Sequence, residues 1–207
     1  MIIDTKRKIV DVTFTLSLKN GFDNVSIKQI QNEANLSAGS IYYHFKDKDE
    51  ILTSMVDIYL KDGVNQLRED VKNFEGSLIE KIDFIFNYKA ISFLENKIDS
   101  SYHISDESQF NRKDYWVLLT SVYHQHPEIR SEFYEIHDEL YGLYYELIQE
   151  AIEKKEIRDD IDVKTLTLFI HSCLKGYLDL WVYQPNLSFE ELVDSNIKMI
   201  WEAIKKR

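Results

Sequence analysis

The sequence predicts an all-α protein: a small N-terminal three-helix domain followed by a larger helical bundle, about nine helices in total. Two observations carry this. The 207 residues contain only two prolines and six glycines against 44% hydrophobic content, which leaves little material for turns. Apolar residues also recur at the 3.6-residue period through most of the chain, and no useful length of strand alternation interrupts them.

Ser26 opens a helix, since its hydroxyl and the Gln29 side chain three residues on form a capping box, and Val25 and Ile30 stand at the spacing of a hydrophobic staple. Ile27, Ile30 and Ala34 fall on one face, with Lys28, Gln29, Gln31 and Asn32 elsewhere. Asn35 tolerates the left-handed backbone that ends a helix. Ser37 caps a second helix, in which only Ile41 and Phe45 need burial and Ala38, Gly39, Ser40, Tyr42, Tyr43 and His44 point outward. Two short capped helices split by a tight turn have the outline of a helix-turn-helix DNA reader. Small residues in the first turn allow close approach to a groove, and Tyr42, Tyr43, His44, Lys46 and Lys48 add donors and aromatic area. A plain helical hairpin whose Tyr and His residues pack against neighbours fits the same pattern.

Asp47, with Glu50 at its third position, starts a longer helix. Leu52, Met55, Val56, Tyr59, Gly63, Leu67, Val71 and Phe74 hold the helical period until Gly76-Ser77 breaks it. Leu78 to Glu95 reads as the next helix and Lys97 to Arg112 as a polar loop. Helices are expected from Lys113 to Gln125 and from Pro127 toward Ile157, Pro127 taking a first-turn position. Arg158-Asp159-Asp160 is a charged turn. Val163 to Gln184 and Ser188 to Lys205 complete the set, Ser188 and Glu191 forming another capping box.

The stretch from Ile9 to Leu52 resembles, without a gap, the N-terminal domain of the TetR family of transcriptional regulators. Ile9-Val10 through Leu16 and then Asn20-Gly21-Phe22 look like its first helix and the turn that ends it. Leu36 to Phe45 is similar to its most recognisable segment, and Lys48 to Leu52 follows at the usual distance. Two positions depart from the pattern: Gln31 stands where alanine is common, and Asn35 where glycine is. The resemblance implies a helix-turn-helix DNA-binding domain over residues 1–48 and an effector-binding and dimerisation domain over 49–207. It further implies a cytoplasmic regulator, most often a repressor, that binds a palindromic operator in double-stranded DNA as a homodimer and responds to a small-molecule effector. Lys28, Ala38, Gly39, Ser40 and Tyr43 are expected to face base edges, and Ser26, Tyr42, His44 and Lys48 to hold phosphates.

Charge opposes this at first sight, because the formal net charge is −11 and a DNA reader must approach phosphates. Its distribution answers the objection. Residues 1–48 hold seven Lys or Arg against five acids, a net of +2, so the acidity lies beyond Lys48, and charges farther than a Debye length of about 8 Å are largely screened.

The last two helices are apolar over broad faces and call for cover on more than one side. By resemblance they pair with those of a second subunit, through Leu166, Ile170, Cys173, Tyr177, Trp181, Val193, Ile197, Ile200, Trp201 and Ile204; completion of a monomeric core is the other reading. The middle of the chain is crowded with aromatics, among them Tyr59, Phe86, Phe93, Tyr115, Trp116, Tyr123, Tyr141 and Tyr145. Buried phenols need partners, so this crowd is either a pocket for a flat or lipophilic ligand or an aromatic-rich core.

Other chemistry finds little support. The single cysteine, Cys173, excludes an intrachain disulfide and suits a reducing compartment. His124 and His126 point roughly 200° apart on a helix, and neither HExxH nor paired-Cys spacing occurs, so no metal and no cofactor is expected. No phosphate loop, nucleophile elbow or oriented carboxylate pair points to an enzyme. No segment reaches the roughly 18 apolar residues of a membrane span. The competing functional class is an all-helical small-molecule or metal-binding protein whose N-terminal hairpin is structural.

Overall fold

The computed structural model describes residues 5–88 and 112–206, and every described element is helical. In order these are α1 (Thr5–Asn20), a 3-10 turn (Phe22–Asn24), α2 (Ile27–Ala34), α3 (Ala38–His44), α4 (Lys48–Val56), a π segment (Asp57–Lys61), α5 (Asp62–Asn73) and α6 (Leu78–Asn87). Then follow α7 (Arg112–Gln125), a 3-10 turn (Pro127–Ile129), α8 (Arg130–Glu153), α9 (Val163–Tyr183) and α10 (Phe189–Ile204). The helix expected to reach Glu95 ends at Asn87, because Tyr88 turns to ψ 113° and its N–H closes on the Ile85 carbonyl; the polar loop expected after it and Phe93 lie outside the described residues.

The chain divides into two compact units, residues 1–63 with 91–133, and residues 64–90 with 134–207. In the first, α1 is the central strut, packed against α2, α3, α4 and α7. Its buried face is partly polar: Asp11, Thr13 and Ser17 are covered along with Ile9, Val10, Val12 and Phe14. Thr13 and Ser17 donate to the carbonyls of Ile9 and Thr13, both at 2.7 Å, so the buried hydroxyls are satisfied within the helix itself. Asp11 accepts from Arg7 at 2.6 Å and from the Tyr59 phenol at 2.5 Å. Stacked on Phe14, Tyr59 also receives the Tyr115 phenol on its carbonyl at 2.9 Å.

The capping chemistry reads out as expected. Ser26 Oγ accepts from the Gln29 N–H at 3.2 Å while Gln29 Oε1 accepts from the Ser26 N–H at 2.8 Å. Ser37 and Asp47 cap α3 and α4 through the N–H groups of Ser40 and Glu50. Asn35 sits at φ 50°, ψ 50°, the left-handed conformation that lets Leu36 N–H return to the Gln31 carbonyl.

The long helix expected from Asp47 to Phe74 is interrupted by a wider turn. One π turn at Asp57–Lys61 inserts a residue and advances the helical phase by about 100°. Tyr59, Gly63, Leu67 and Val71 are nevertheless all buried.

In the second unit α10 lies against α6 and α9. Leu78, Ile82, Ile85, Phe86, Leu143, Tyr144, Ile148, Leu166, Ile170, Tyr177, Val193 and Ile200 are buried there. The Tyr177 phenol donates to the Phe86 carbonyl at 2.7 Å, satisfying one of the acceptors left over at the end of α6. Arg68 holds Glu146 with both oxygens of the carboxylate in reach, at 2.6 and 2.8 Å. Helix α8 begins three residues after Pro127, behind a 3-10 turn, and stops at Glu153 rather than running to Ile157. Lys155 adopts φ 57°, a backbone that an α-helix cannot continue through.

Candidate nucleic-acid interface

α3 is short, so two residues assign each side of it. Ile41 and Phe45 are buried, which leaves the opposite side bare: Tyr42 is 56% and Tyr43 85% exposed. Burial of a large aromatic is worth roughly 1.5–3 kcal/mol, so two phenols left in water beside a well-packed core mark a surface with another occupant. Tyr43 meets the edge of His44 at a centroid distance of 5.0 Å.

Of the residues nominated for base edges, Lys28, Gly39 and Tyr43 are exposed, while Ala38 and Ser40 are half-exposed in the first turn. Among those nominated for phosphates, Ser26 and Tyr42 are exposed and His44 is half-exposed. Ser26 already spends its hydroxyl on the cap of α2. Lys48 is the most constrained: its ammonium donates to the Asp23 carbonyl at 3.1 Å and stands 4.3 Å from the centre of the Phe22 ring. Burial lowers its pKa, with Asp23 and Asp49 pulling the other way. The neighbouring Lys46 side chain is 89% exposed, and it is the freer cation beside α3.

The described members of the aromatic crowd divide between the two units. Tyr59 and Tyr115 are core residues of the first unit, with both phenols hydrogen-bonded, and Trp116 and Tyr123 pack partly buried at the edge of that core. Phe86, Tyr141 and Tyr145 belong to the second unit, Tyr141 and Tyr145 stacking at 6.3 Å. That unit also holds Tyr144, whose buried hydroxyl has no hydrogen-bond partner. Sequence periodicity marked Tyr144 as aromatic but not which phenol would lack an acceptor.

The residues nominated for subunit pairing separate in the same way. Leu166, Ile170, Tyr177, Val193, Ile200 and Ile204 are buried by the chain's own helices. Cys173, Trp181 and Ile197 are half-buried and Trp201 is exposed. The apolar residues left bare on α9 and α10 are instead Leu168, Phe169, Leu180, Tyr183, Met199 and Trp201. The physical reason is that these helices carry apolar residues over more than one face, and the chain itself covers the inner one.

Comparison with known proteins places the same weight on the N-terminus. Residues 9–55 match the family model described as bacterial regulatory proteins, tetR family. Over 193 residues the chain is 25% identical to YerO of Bacillus subtilis, an uncharacterised HTH-type transcriptional regulator, covering 90% of this chain and 59% of YerO. The chain thus spans less than two thirds of that relative. Among solved structures, reduced NemR of E. coli superposes with a TM-score of 0.74 at 16% identity, over 99% of this chain and 98% of that one. FadR from Bacillus subtilis, in complex with stearoyl-CoA, superposes with a TM-score of 0.67 at 19% identity, over 93% and 96%. At these identities the structural likeness speaks for the fold.

Proposed function

This chain belongs to the tetR family of bacterial regulatory proteins, and from that premise we propose that it is a ligand-responsive repressor that binds a palindromic operator as a homodimer. The observation that carries the reading is the bare aromatic face of α3, with Tyr42 and Tyr43 in solvent above buried Ile41 and Phe45. Lys28, Ala38, Gly39, Ser40 and Tyr43 read base edges; Ser26, Tyr42, His44 and Lys48 hold the sugar-phosphate backbone, joined by Lys46. A two-fold dimer presents two copies of α3 to half-sites separated by whole helical turns of about 10 bp. The DNA-binding segment is residues 1–48, with effector binding and dimerisation in the remainder.

The effector site is in the second unit. Phe86, Tyr141 and Tyr145 supply apolar area there, and the unpaired Tyr144 hydroxyl supplies a donor. A lipophilic effector suits that chemistry and is in keeping with the stearoyl-CoA held by FadR. Coupling of about 1–3 kcal/mol between effector and operator changes affinity from several-fold to a hundredfold.

Selection of bound duplexes from a random pool tests the proposal, reporting binding, palindromy and half-site spacing at once. Recovery of a palindrome is the expected result; a pool with no enriched sequence overturns it.

A further inference from the structure

Three elements of the first unit bring metal-ligating side chains together away from α3. Asp49 stands in the first turn of α4; His126 immediately precedes, and Glu128 lies in, the 3-10 turn ahead of α8; Asp23 lies in the 3-10 turn after α1. One ligand atom from each of Asp49, His126 and Glu128 lies within 4.8 Å of the others. We infer that His126, Asp49 and Glu128 form a binding site for a divalent transition-metal cation, with Asp23 as the outer hydrogen-bond acceptor of the histidine.

The imidazole is the reason. Its Nδ1 lies 3.0 Å from Glu128 Oε1 and its Nε2 lies 3.1 Å from Asp23 Oδ1. A neutral ring has one N–H, so it donates to one of these carboxylates and turns a lone pair toward the other. A cation on Nδ1 removes that repulsion and leaves Nε2–H donating to Asp23, which is the carboxylate–histidine–metal arrangement seen in metalloproteins. The ring is held for the purpose: its side chain is 13% exposed and packs edge-on against Phe22 at 5.3 Å. Two ligands on a metal with bonds of about 2.0–2.1 Å are separated by roughly 3.0–3.4 Å, and the Nδ1–Glu128 distance falls at that spacing. Asp49, an exposed carboxylate within 4.8 Å of the other two ligand atoms, needs a shift of about 1–2 Å to complete the set.

Charge agrees. Asp23, Asp49 and Glu128 contribute three carboxylates against the two nearby cations Lys48 and Arg130, so the group keeps an acidic excess that favours a cation. One imidazole with two carboxylates suits Zn2+, Mn2+, Co2+ or Ni2+ better than soft Cu(I). Bound there, the cation ties the start of α4 to the turn before α8, segments more than seventy positions apart in sequence.

The full chain, stripped of metal by chelation, is titrated with Zn2+ by calorimetry and with Co2+ by visible absorption. One equivalent binds, raises the melting temperature and gives a Co2+ spectrum with nitrogen and oxygen ligation. Asp49→Asn and Glu128→Gln, both at exposed positions, each weaken Zn2+ affinity at least tenfold, and Asp23→Ala weakens it by about 10–100-fold through loss of the outer acceptor. A His126→Gln variant that folds binds no Co2+. No saturable binding at millimolar Zn2+ overturns the inference and leaves the His126 ring as a hydrogen-bonding partner of Glu128 and Asp23 only. Binding that survives Asp49→Asn and Glu128→Gln but disappears in His171→Gln also overturns it, by placing the cation at His171 and His137, whose Nε2 and Nδ1 lie 3.3 Å apart. None of these readouts depends on DNA, so the site and the regulator function stand or fall separately.

Discussion

Tyr59 donates its phenol to Asp11 at 2.5 Å, joining the π segment to α1 across 48 positions of sequence. Asp11 is 2% exposed, and a carboxylate taken out of water is tolerated only when it is paired and hydrogen-bonded; Arg7 supplies the charge and Tyr59 the second bond. Burial, with Asp11 beside it, pushes the Tyr59 phenol far above its ordinary pKa, so it remains a donor at neutral pH.

Tyr59→Phe therefore removes one partner from a buried carboxylate and destabilises the first unit by about 1–3 kcal/mol. Urea denaturation of the full chain measures this. A loss below about 0.5 kcal/mol, the range of ordinary surface substitutions, contradicts the role given to the pair.

Tyr43→Ala separates recognition from folding. The side chain is 85% exposed, so stability changes by less than about 0.5 kcal/mol, while discrimination between operator and scrambled duplex drops by about 1–3 kcal/mol. Lys48→Ala instead lowers affinity for both duplexes and shallows the salt dependence by about one unit. It also lowers the melting temperature, because the bond to the Asp23 carbonyl is lost. Titrations on both duplexes at two salt concentrations decide between these roles; equal losses on operator and scrambled DNA for Tyr43→Ala rule out base reading.

In the second unit, His137 Nδ1 lies 3.3 Å from His171 Nε2. Burial, then the Lys175 ammonium and His171, hold the His137 pKa down to about 4, with Asp138 opposing. Burial and Lys175 lower that of His171 as well. Both folded values lie below the unfolded 6.5, so the unfolded chain binds more protons in the window between. This contribution to stability is whole above about pH 6.5 and is lost as pH falls toward about 4. Melting temperatures measured from pH 7 to 4 fall less steeply for His137→Gln than for the parent; parallel curves contradict the assignment.

Subunit pairing is expected on the bare faces of α9 and α10. Leu180, half exposed at 50%, is placed to be covered by a partner. Covering an aliphatic side chain of this size contributes about 1.5–3 kcal/mol, and a two-fold axis doubles the effect of each substitution. Leu180→Glu should give a monomeric mass by light scattering with helical content unchanged. A persistent dimer moves the contact to another face.

The capped elements were legible because their signals are local. Ser26 with Gln29, Ser37, Asp47 with Glu50, and Ser188 with Glu191 each satisfy N–H groups within three residues, and the structure has every one of these caps. The outward set on α3 was legible for the same reason: a seven-residue helix with Ile41 and Phe45 inside has one remaining side. α1 was not legible from periodicity, because its buried face includes Asp11, Thr13 and Ser17, polar residues that hydrogen-bond within the helix or to Tyr59. Resemblance found it where apolar spacing did not.

What the sequence determined by itself, then, is the helices, their caps and the face of α3, all set by interactions within a few residues or one helical turn. Tertiary structure alone decided which of two apolar faces on α9 and α10 the chain covers, and which tyrosines find acceptors. It also decided that His126, unpaired with His124 by helical geometry, meets Asp23, Asp49 and Glu128. Those outcomes depend on contacts between segments distant in sequence, where chain topology rather than local preference sets which groups share a neighbourhood.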